Sequence, residues 1–245
     1  MQTFYIPAGE NSLMAFLHPA PSGLSRPVLV VCHGFCGSAE GGSSLDLAAT
    51  LQDRDISLLR FRFTPQRCLS QQVAEIGSVI DYCRTNLTQD IALLGRSMGA
   101  AAALVFASID RRVSGLCLMA SPADLPSTFR GILGDDYTRL EQGQSVTAFH
   151  EEEPVHLTPD FIRDFGHYDL PAAIREIAGT PLMLIHGMDD TTVPVEQGRQ
   201  LFSAAGEPKR LLLLPDHGHS FTGCAERFVP AVADWLTREV FPASV

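Results

Sequence analysis

The 245-residue chain predicts an α/β fold: a mostly parallel, doubly wound sheet of about seven or eight strands, with a small helical cap inserted near its middle. Three observations carry this. Short apolar runs alternate with segments of helical period through almost the whole chain, as in a parallel sheet covered on both faces. The run 27–32 is nearly continuously apolar, which suits a central strand buried on both sides. One stretch, about 121–171, breaks the rhythm and is flanked by intact alternation.

The elements follow in order. Phe4–Ile6 and Leu13–Leu17 read as a leading antiparallel pair. After the strand at 27–32 come a helix over Leu45–Gln52 and a strand over Ser57–Phe63. Apolar residues at 73, 76, 79, 80 and 83 then mark a helix. The short strand Ile91–Leu94 turns into a helix rich in small residues, Ala100–Ala103 followed by Leu104-Val105-Phe106, through Gly95-Arg96-Ser97-Met98-Gly99. Val113–Met119 is the next strand.

The excursion at 121–171 holds two glycine-bearing loops, the acidic triplet Glu151, Glu152 and Glu153, and the aromatics Phe129, Tyr137, Phe149, Phe161, Phe165 and Tyr168. It reads as a cap over the C-terminal edge of the sheet, where open α/β sheets bind ligands. Alternation resumes with strand Thr180–His186, helix Val195–Ala205, strand Arg210–Leu214 and a closing helix Ala225–Val240. With no internal repeat, low-complexity tract or flexible linker, residues 1–245 read as one domain with an embedded cap.

Composition bounds the function. Apolar residues are 45% and charged residues 19%, enough for a substantial core. A net charge of −10 argues against nucleic acid, since no basic patch is present to displace phosphate counterions. Residues 1–7 lack a basic and then apolar leader, so standard secretion is not expected, and no apolar run is long enough for a membrane span. The six cysteines (Cys32, Cys36, Cys68, Cys83, Cys117, Cys224) show no CxxC pair or zinc-like spacing, and a reducing cytoplasm fits them best. Cys36 and Cys224 lie near the motifs that carry the chemistry, which leaves their redox activity open. A homodimer is compatible with the sequence, which does not set the oligomeric state.

A serine on a tight strand–helix turn is lifted above the sheet, and its flanking residues must be small. Gly95 and Gly99 provide that room around Ser97. A serine becomes a nucleophile only when a histidine takes its proton and a carboxylate orients the histidine. The strand 181–185 ends in His186-Gly187-Met188-Asp189-Asp190-Thr191-Thr192-Val193-Pro194. The strand 211–214 ends in Pro215-Asp216-His217-Gly218-His219-Ser220-Phe221. Acid loop and histidine loop thus follow the serine in the order Ser, Asp, His, each at a strand's C-terminal end.

On these residues the chain resembles the α/β-hydrolase superfamily over nearly its whole length. The acid-loop pattern H-G-x-x-D-x-x-V-P is met by His186, Gly187, Asp190, Val193 and Pro194. The resemblance therefore implies Asp190 as the acid, with neighbouring Asp189 the alternative, and His219 as the base, with His217 the alternative. His33-Gly34-Phe35 matches the superfamily's H-G-F element. This implies an oxyanion hole of the Phe35 and Met98 backbone N–H groups, with the His33 side chain structural.

The segment 157–165 and the following Asp169-Leu170, Ala172-Ala173-Ile174, Ile177 and Pro181 resemble the cap end of carboxylesterases of the cinnamoyl/feruloyl esterase kind. One loop departs: Phe61-Arg62-Phe63-Thr64-Pro65-Gln66-Arg67 stands where those relatives carry an Asp-x-x-Gly-x-Gly-x-Ser-like turn beside the active site.

Serine at position 97 excludes the aspartate chemistry of dehalogenases and the cysteine chemistry of dienelactone-type hydrolases. No metal or nucleotide motif is present, so no cofactor is expected, and His150 and His156 beside the acidic triplet read as a solvated face of the cap. The leading expectation is a serine carboxylesterase acting on a small-molecule ester through an acyl-enzyme. Phe35, Phe129, Phe149, Phe161 and Tyr168 are its candidate substrate contacts, although each cap ring has packing as its competing role. A thioesterase or serine aminopeptidase would use the same triad, and a non-catalytic binding protein is the third reading.

Overall fold

The chain begins with two antiparallel strands, β1 (Gln2–Ala8) and β2 (Asn11–His18), joined by a tight turn at Gly9-Glu10. A computed structural model describes residues 1–39, 43–150, 153–221 and 223–242, with the backbone alone at 149, 150 and 153. Three strand–helix units follow: β3 (Val28–Cys32) with α1 (Ser43–Gln52), β4 (Ser57–Phe61) with α2 (Leu69–Asn86), and β5 (Ile91–Arg96) with α3 (Met98–Ile109). β6 (Gly115–Met119) leads into the excursion.

The excursion holds α4 (Leu125–Leu133), α5 (Asp135–Glu141), the antiparallel hairpin β7 (Val146–His150) and β8 (Glu153–Leu157), α6 (Pro159–Arg163) and a 3₁₀ turn at Asp164–His167. The chain returns through α7 (Leu170–Glu176), β9 (Leu182–Gly187), α8 (Val195–Ala204), β10 (Lys209–Leu214) and α9 (Ala225–Trp235). A π-helical turn, Leu236–Val240, ends it.

Eight strands make one sheet in the order β1-β2-β4-β3-β5-β6-β9-β10. β2 pairs antiparallel with β4, and all pairs from β4 to β10 are parallel. The parallel strands β3 and β6 along their whole length, and β5 as far as Gly95, carry no charged residue because both faces are covered. α1 and α9 pack together on one face; α2, α3, α7 and α8 form a contiguous layer on the other.

Two local differences from the sequence reading have physical causes. α2 starts at Leu69, earlier than its apolar period shows, because the Gln71 side chain reaches back to accept the Cys68 N–H at 3.1 Å. The excursion is not wholly helical: Val146, Val155 and Leu157 alternate with exposed positions and are buried as one face of the β7–β8 hairpin. Of the acidic triplet, Glu153 begins β8, and Glu151 and Glu152 lie outside the described residues.

Candidate active site

Ser97 sits between β5 and α3 with φ 53° and ψ −123°, a conformation that a non-glycine residue adopts only under constraint. Its N–H donates to the Met119 carbonyl at 2.9 Å, which ties the turn to β6. The small neighbours are required by close approach. A Cβ on Gly99 would lie 2.5 Å from the Cys32 carbonyl oxygen and closer still to that of His33, and one on Gly95 would lie 2.5 Å from Ala100 Cα. These contacts press the turn against the end of β3.

The loops after β9 and β10 bring two further residues to Ser97. His219 Nε2 lies 3.1 Å from Ser97 Oγ, and His219 Nδ1 donates to Asp190 Oδ2 at 2.8 Å. Arg96, beside the serine, donates from Nη2 to the His219 carbonyl at 3.2 Å and so holds the histidine loop. The Asp190 side chain is fully buried and its other oxygen, Oδ1, accepts the Thr192 and Val193 N–H groups at 2.9 and 2.8 Å. Burial opposes its ionisation. The His186 and His219 side chains and the Val193 N–H more than offset this and hold the carboxyl well below the usual carboxylate range.

The alternatives stand apart. Asp189 is exposed, and its backbone N–H donates to the His217 carbonyl. His217 is on the same loop as His219, but Arg227 donates to its Nδ1 at 2.9 Å.

His186, seen in the sequence only as part of a motif, supports the acid. Its buried Nε2 lies 2.8 Å from the Val193 carbonyl and 3.5 Å from Asp190 Oδ2. The continuous apolar run up to residue 186 carries no signal for this contact, which depends on how the loop folds back.

The strap after β3 faces the serine from the other side. The Phe63 N–H donates to His33 Nε2 at 3.0 Å, so Nε2 carries no proton and Nδ1–H donates to the Gly34 carbonyl at 2.8 Å. Burial keeps the ring neutral by lowering its pKa; the bond to Gly34 works against this and Arg62 reinforces it. This side chain staples the strap bearing Gly34 and Phe35 to the strand that ends at Phe61. Met98 opens α3, where the first N–H groups of a helix have no carbonyl four residues back to bond. An imidazole bonded to both a hydroxyl and a buried carboxylate can accept the hydroxyl proton during attack on a carbonyl.

The candidate substrate contacts divide. Phe129 and Phe161 are 1% and 3% exposed. With Phe165 they form a cluster with ring centroids 4.8–5.3 Å apart. Rings so buried cannot touch a ligand without moving, so both pack the excursion onto the body. Phe35 lies against Phe129 and Phe161 at 5.2 and 5.5 Å and also lines a cavity. The Tyr168 hydroxyl is 2.6 Å from Ser70 Oγ, which also bonds Asp164. The Phe149 side chain lies outside the described residues, as does that of His150; His156 Nδ1 is 2.8 Å from Thr147 Oγ1.

Two cavities flank the strap. One of about 630 Å³ lies toward α1 and α9 and is bordered by Arg96 and Ser220, next to Ser97 and His219 in sequence. The other, about 430 Å³, lies between the strap, the loop 62–67 and β8. Burial raises the Cys36 thiol to about 11 and also raises that of Cys224, so neither favours the reactive thiolate. Among the described residues, no three His, Cys, Asp or Glu side chains converge as metal ligands, and no helix is long and apolar enough to cross a membrane.

No protein-family model matches the chain. The uncharacterized protein Rv2307c of Mycobacterium tuberculosis is 29% identical over 213 residues, covering 82% of this chain and 66% of that protein, so the chain spans just under two thirds of this relative. Among solved structures, Est1E from Butyrivibrio proteoclasticus superposes with a TM-score of 0.86 at 20% identity, covering 99% of this chain and all of that one. The esterase domain of a Rhodothermus marinus protein superposes with a TM-score of 0.76 at 20% identity over 98% of both chains. The chain has the α/β-hydrolase fold.

Proposed function

We propose that the protein is a serine hydrolase that cleaves carboxylic ester bonds of small-molecule substrates through an acyl-enzyme. The observation that carries this reading is the continuous chain Ser97–His219–Asp190, at 3.1 and 2.8 Å, mounted on a strained strand–helix turn. Ser97 attacks the ester carbonyl while His219 takes its proton and then gives it to the leaving alcohol. Asp190 holds the imidazole in the tautomer with hydrogen on Nδ1. The Phe35 and Met98 N–H groups receive the oxyanion, a donor of this kind contributing about 3 kcal/mol to the transition state. Water then repeats the sequence on the acyl-enzyme.

The esterases among the fold's structural neighbours, Est1E and the Rhodothermus marinus domain, favour an ester over other acyl compounds. The segment 121–171 acts as the cap over this site. All six cysteines are free thiols, in keeping with a reducing cytoplasm.

The test is a fluorophosphonate label together with p-nitrophenyl esters of graded chain length, acyl-CoA thioesters and aminoacyl amides. Wild type should label and turn over esters fastest, and Ser97→Ala should lose labelling and at least about 10³-fold in kcat with its melting temperature retained. Faster cleavage of thioesters or amides would reassign the bond; wild-type-like turnover by Ser97→Ala would remove the nucleophile.

A further inference from the structure

β9 is buried along its whole length, and its one polar side chain is His186, 1% exposed. A ring so placed must have its N–H met inside the protein. Its Nε2 donates to the Val193 carbonyl at 2.8 Å, which folds the acid loop back toward the strand that it left. The return brings the Val193 N–H onto Asp190 Oδ1 at 2.8 Å. The same Nε2 stands 3.5 Å from Asp190 Oδ2, the oxygen that accepts from His219. That gap is too long for a full hydrogen bond. Between buried side chains, however, a hydrogen-bearing nitrogen still attracts a carboxylate across it.

Asp190 therefore meets N–H groups at both oxygens, the Thr192 and Val193 backbone at Oδ1 and two imidazoles at Oδ2. Burial opposes its ionisation. The His186 side chain contributes most to overcoming that opposition, ahead of His219 and the Val193 N–H.

A second, independent observation lies in α8, which is shaped around this ring. Gly198 is buried inside the helix, and a Cβ there would stand 2.4 Å from His186 Nδ1 and 3.1 Å from its Cγ. Packed atoms do not approach so closely, so a larger residue would displace the ring from Val193 and Asp190. A glycine inside a helix weakens it, and here the loss makes room for the imidazole.

From this geometry we infer that His186 is a positioning residue for the reaction, holding the Asp190 carboxylate in line with His219 Nδ1. The inference rests on the serine-hydrolase reading and extends the chain Ser97–His219–Asp190 by one buried member, which acts through Asp190. The carboxylate stabilises the imidazolium that forms when His219 takes the Ser97 proton. A carboxylate free to turn away from Nδ1 does this less well.

The experiment follows p-nitrophenyl butyrate turnover and the rate of fluorophosphonate labelling in His186→Met, His186→Gln and Gly198→Ala, with Asp190→Asn as a second background. His186→Met should lower kcat and slow labelling about tenfold or more while KM stays within about twofold, since the side chain meets the acid and not the substrate. His186→Gln, whose amide can place an N–H near the Nε2 position, should keep most of the wild-type kcat. Gly198→Ala leaves every donor and acceptor in place yet shifts the ring, and should lower kcat at least about threefold. On Asp190→Asn the His186→Met change should cost less than about twofold further, because two residues acting through one contact do not add. Factors that multiply fully in the double variant, a loss confined to KM, or a His186→Met kcat within about twofold of wild type overturn the inference. Where His186→Met does not fold, an unchanged kcat in Gly198→Ala overturns it. If wild type is labelled and cleaves the ester while these factors stay flat, the hydrolase reading survives and the positioning role does not. If wild type shows neither labelling nor turnover, the hydrolase reading itself falls.

Discussion

Asp190 and His219, 29 positions apart, share a hydrogen bond of 2.8 Å in which the carboxylate is fully buried and the imidazole partly open. The buried partner fixes the ring; the open face leaves Nε2 toward Ser97. Because Asp190 Oδ1 is already occupied by two backbone N–H groups, only Oδ2 is left to meet the histidine.

Replacing Asp190 with Asn puts an N–H₂ opposite His219 Nδ1–H. Two donors face each other, the ring shifts its proton to Nε2, and the base toward Ser97 is lost. The expected fall in kcat is about 10⁴-fold with KM little changed. The pH profile of stability should change too. The carboxyl pKa is lowered on folding, so its contribution is present above the unfolded value of about 3.9 and is lost as pH falls below it. Acid titration of thermal stability should show this loss in wild type and lack this component in Asp190→Asn.

His33→Ala removes both bonds that staple the strap, stranding the Phe63 N–H and the Gly34 carbonyl. We expect about 1–3 kcal/mol of lost stability and at least about a tenfold lower kcat/KM, since the Phe35 N–H is no longer held in place. Burial lowers the His33 pKa in the folded state, so the unfolded chain takes the proton first as pH drops. The resulting contribution is present above about pH 6.5 and is lost below it. Chemical denaturation at graded pH on both proteins checks the sign.

Phe129→Ala separates packing from substrate contact. A ring 1% exposed within a cluster of four aromatics should cost about 3–5 kcal/mol when truncated, or on the order of 10 °C in Tm. A small Tm change combined with a large rise in KM for aromatic esters would instead make the ring a direct acyl contact.

Much of the fold was legible along the chain because parallel strands covered on both faces are written as uninterrupted apolar runs. β3, β5 and β9 are each read this way to within two residues at each end, β5 running on from Leu94 to Arg96. The β7–β8 hairpin was not read, since its alternation covers only a few residues amid glycine and acidic neighbours. Cap aromatics were legible as a group but not by direction: Phe129 and Phe161 turn inward, and periodicity does not report which way a short helix faces once other helices pack on it.

The sequence by itself determined the order Ser, Asp, His, the loops that carry them, and the glycines that the Ser97 turn needs. These are local matters of residue type, strand ends and steric room. The motif register already pointed to Asp190 and His219, but only the tertiary structure decided that these two form the hydrogen-bonded chain to Ser97, with Asp189 exposed and His217 held by Arg227. What separates adjacent or next-but-one residues physically is which side chain the loop turns inward, and that depends on packing.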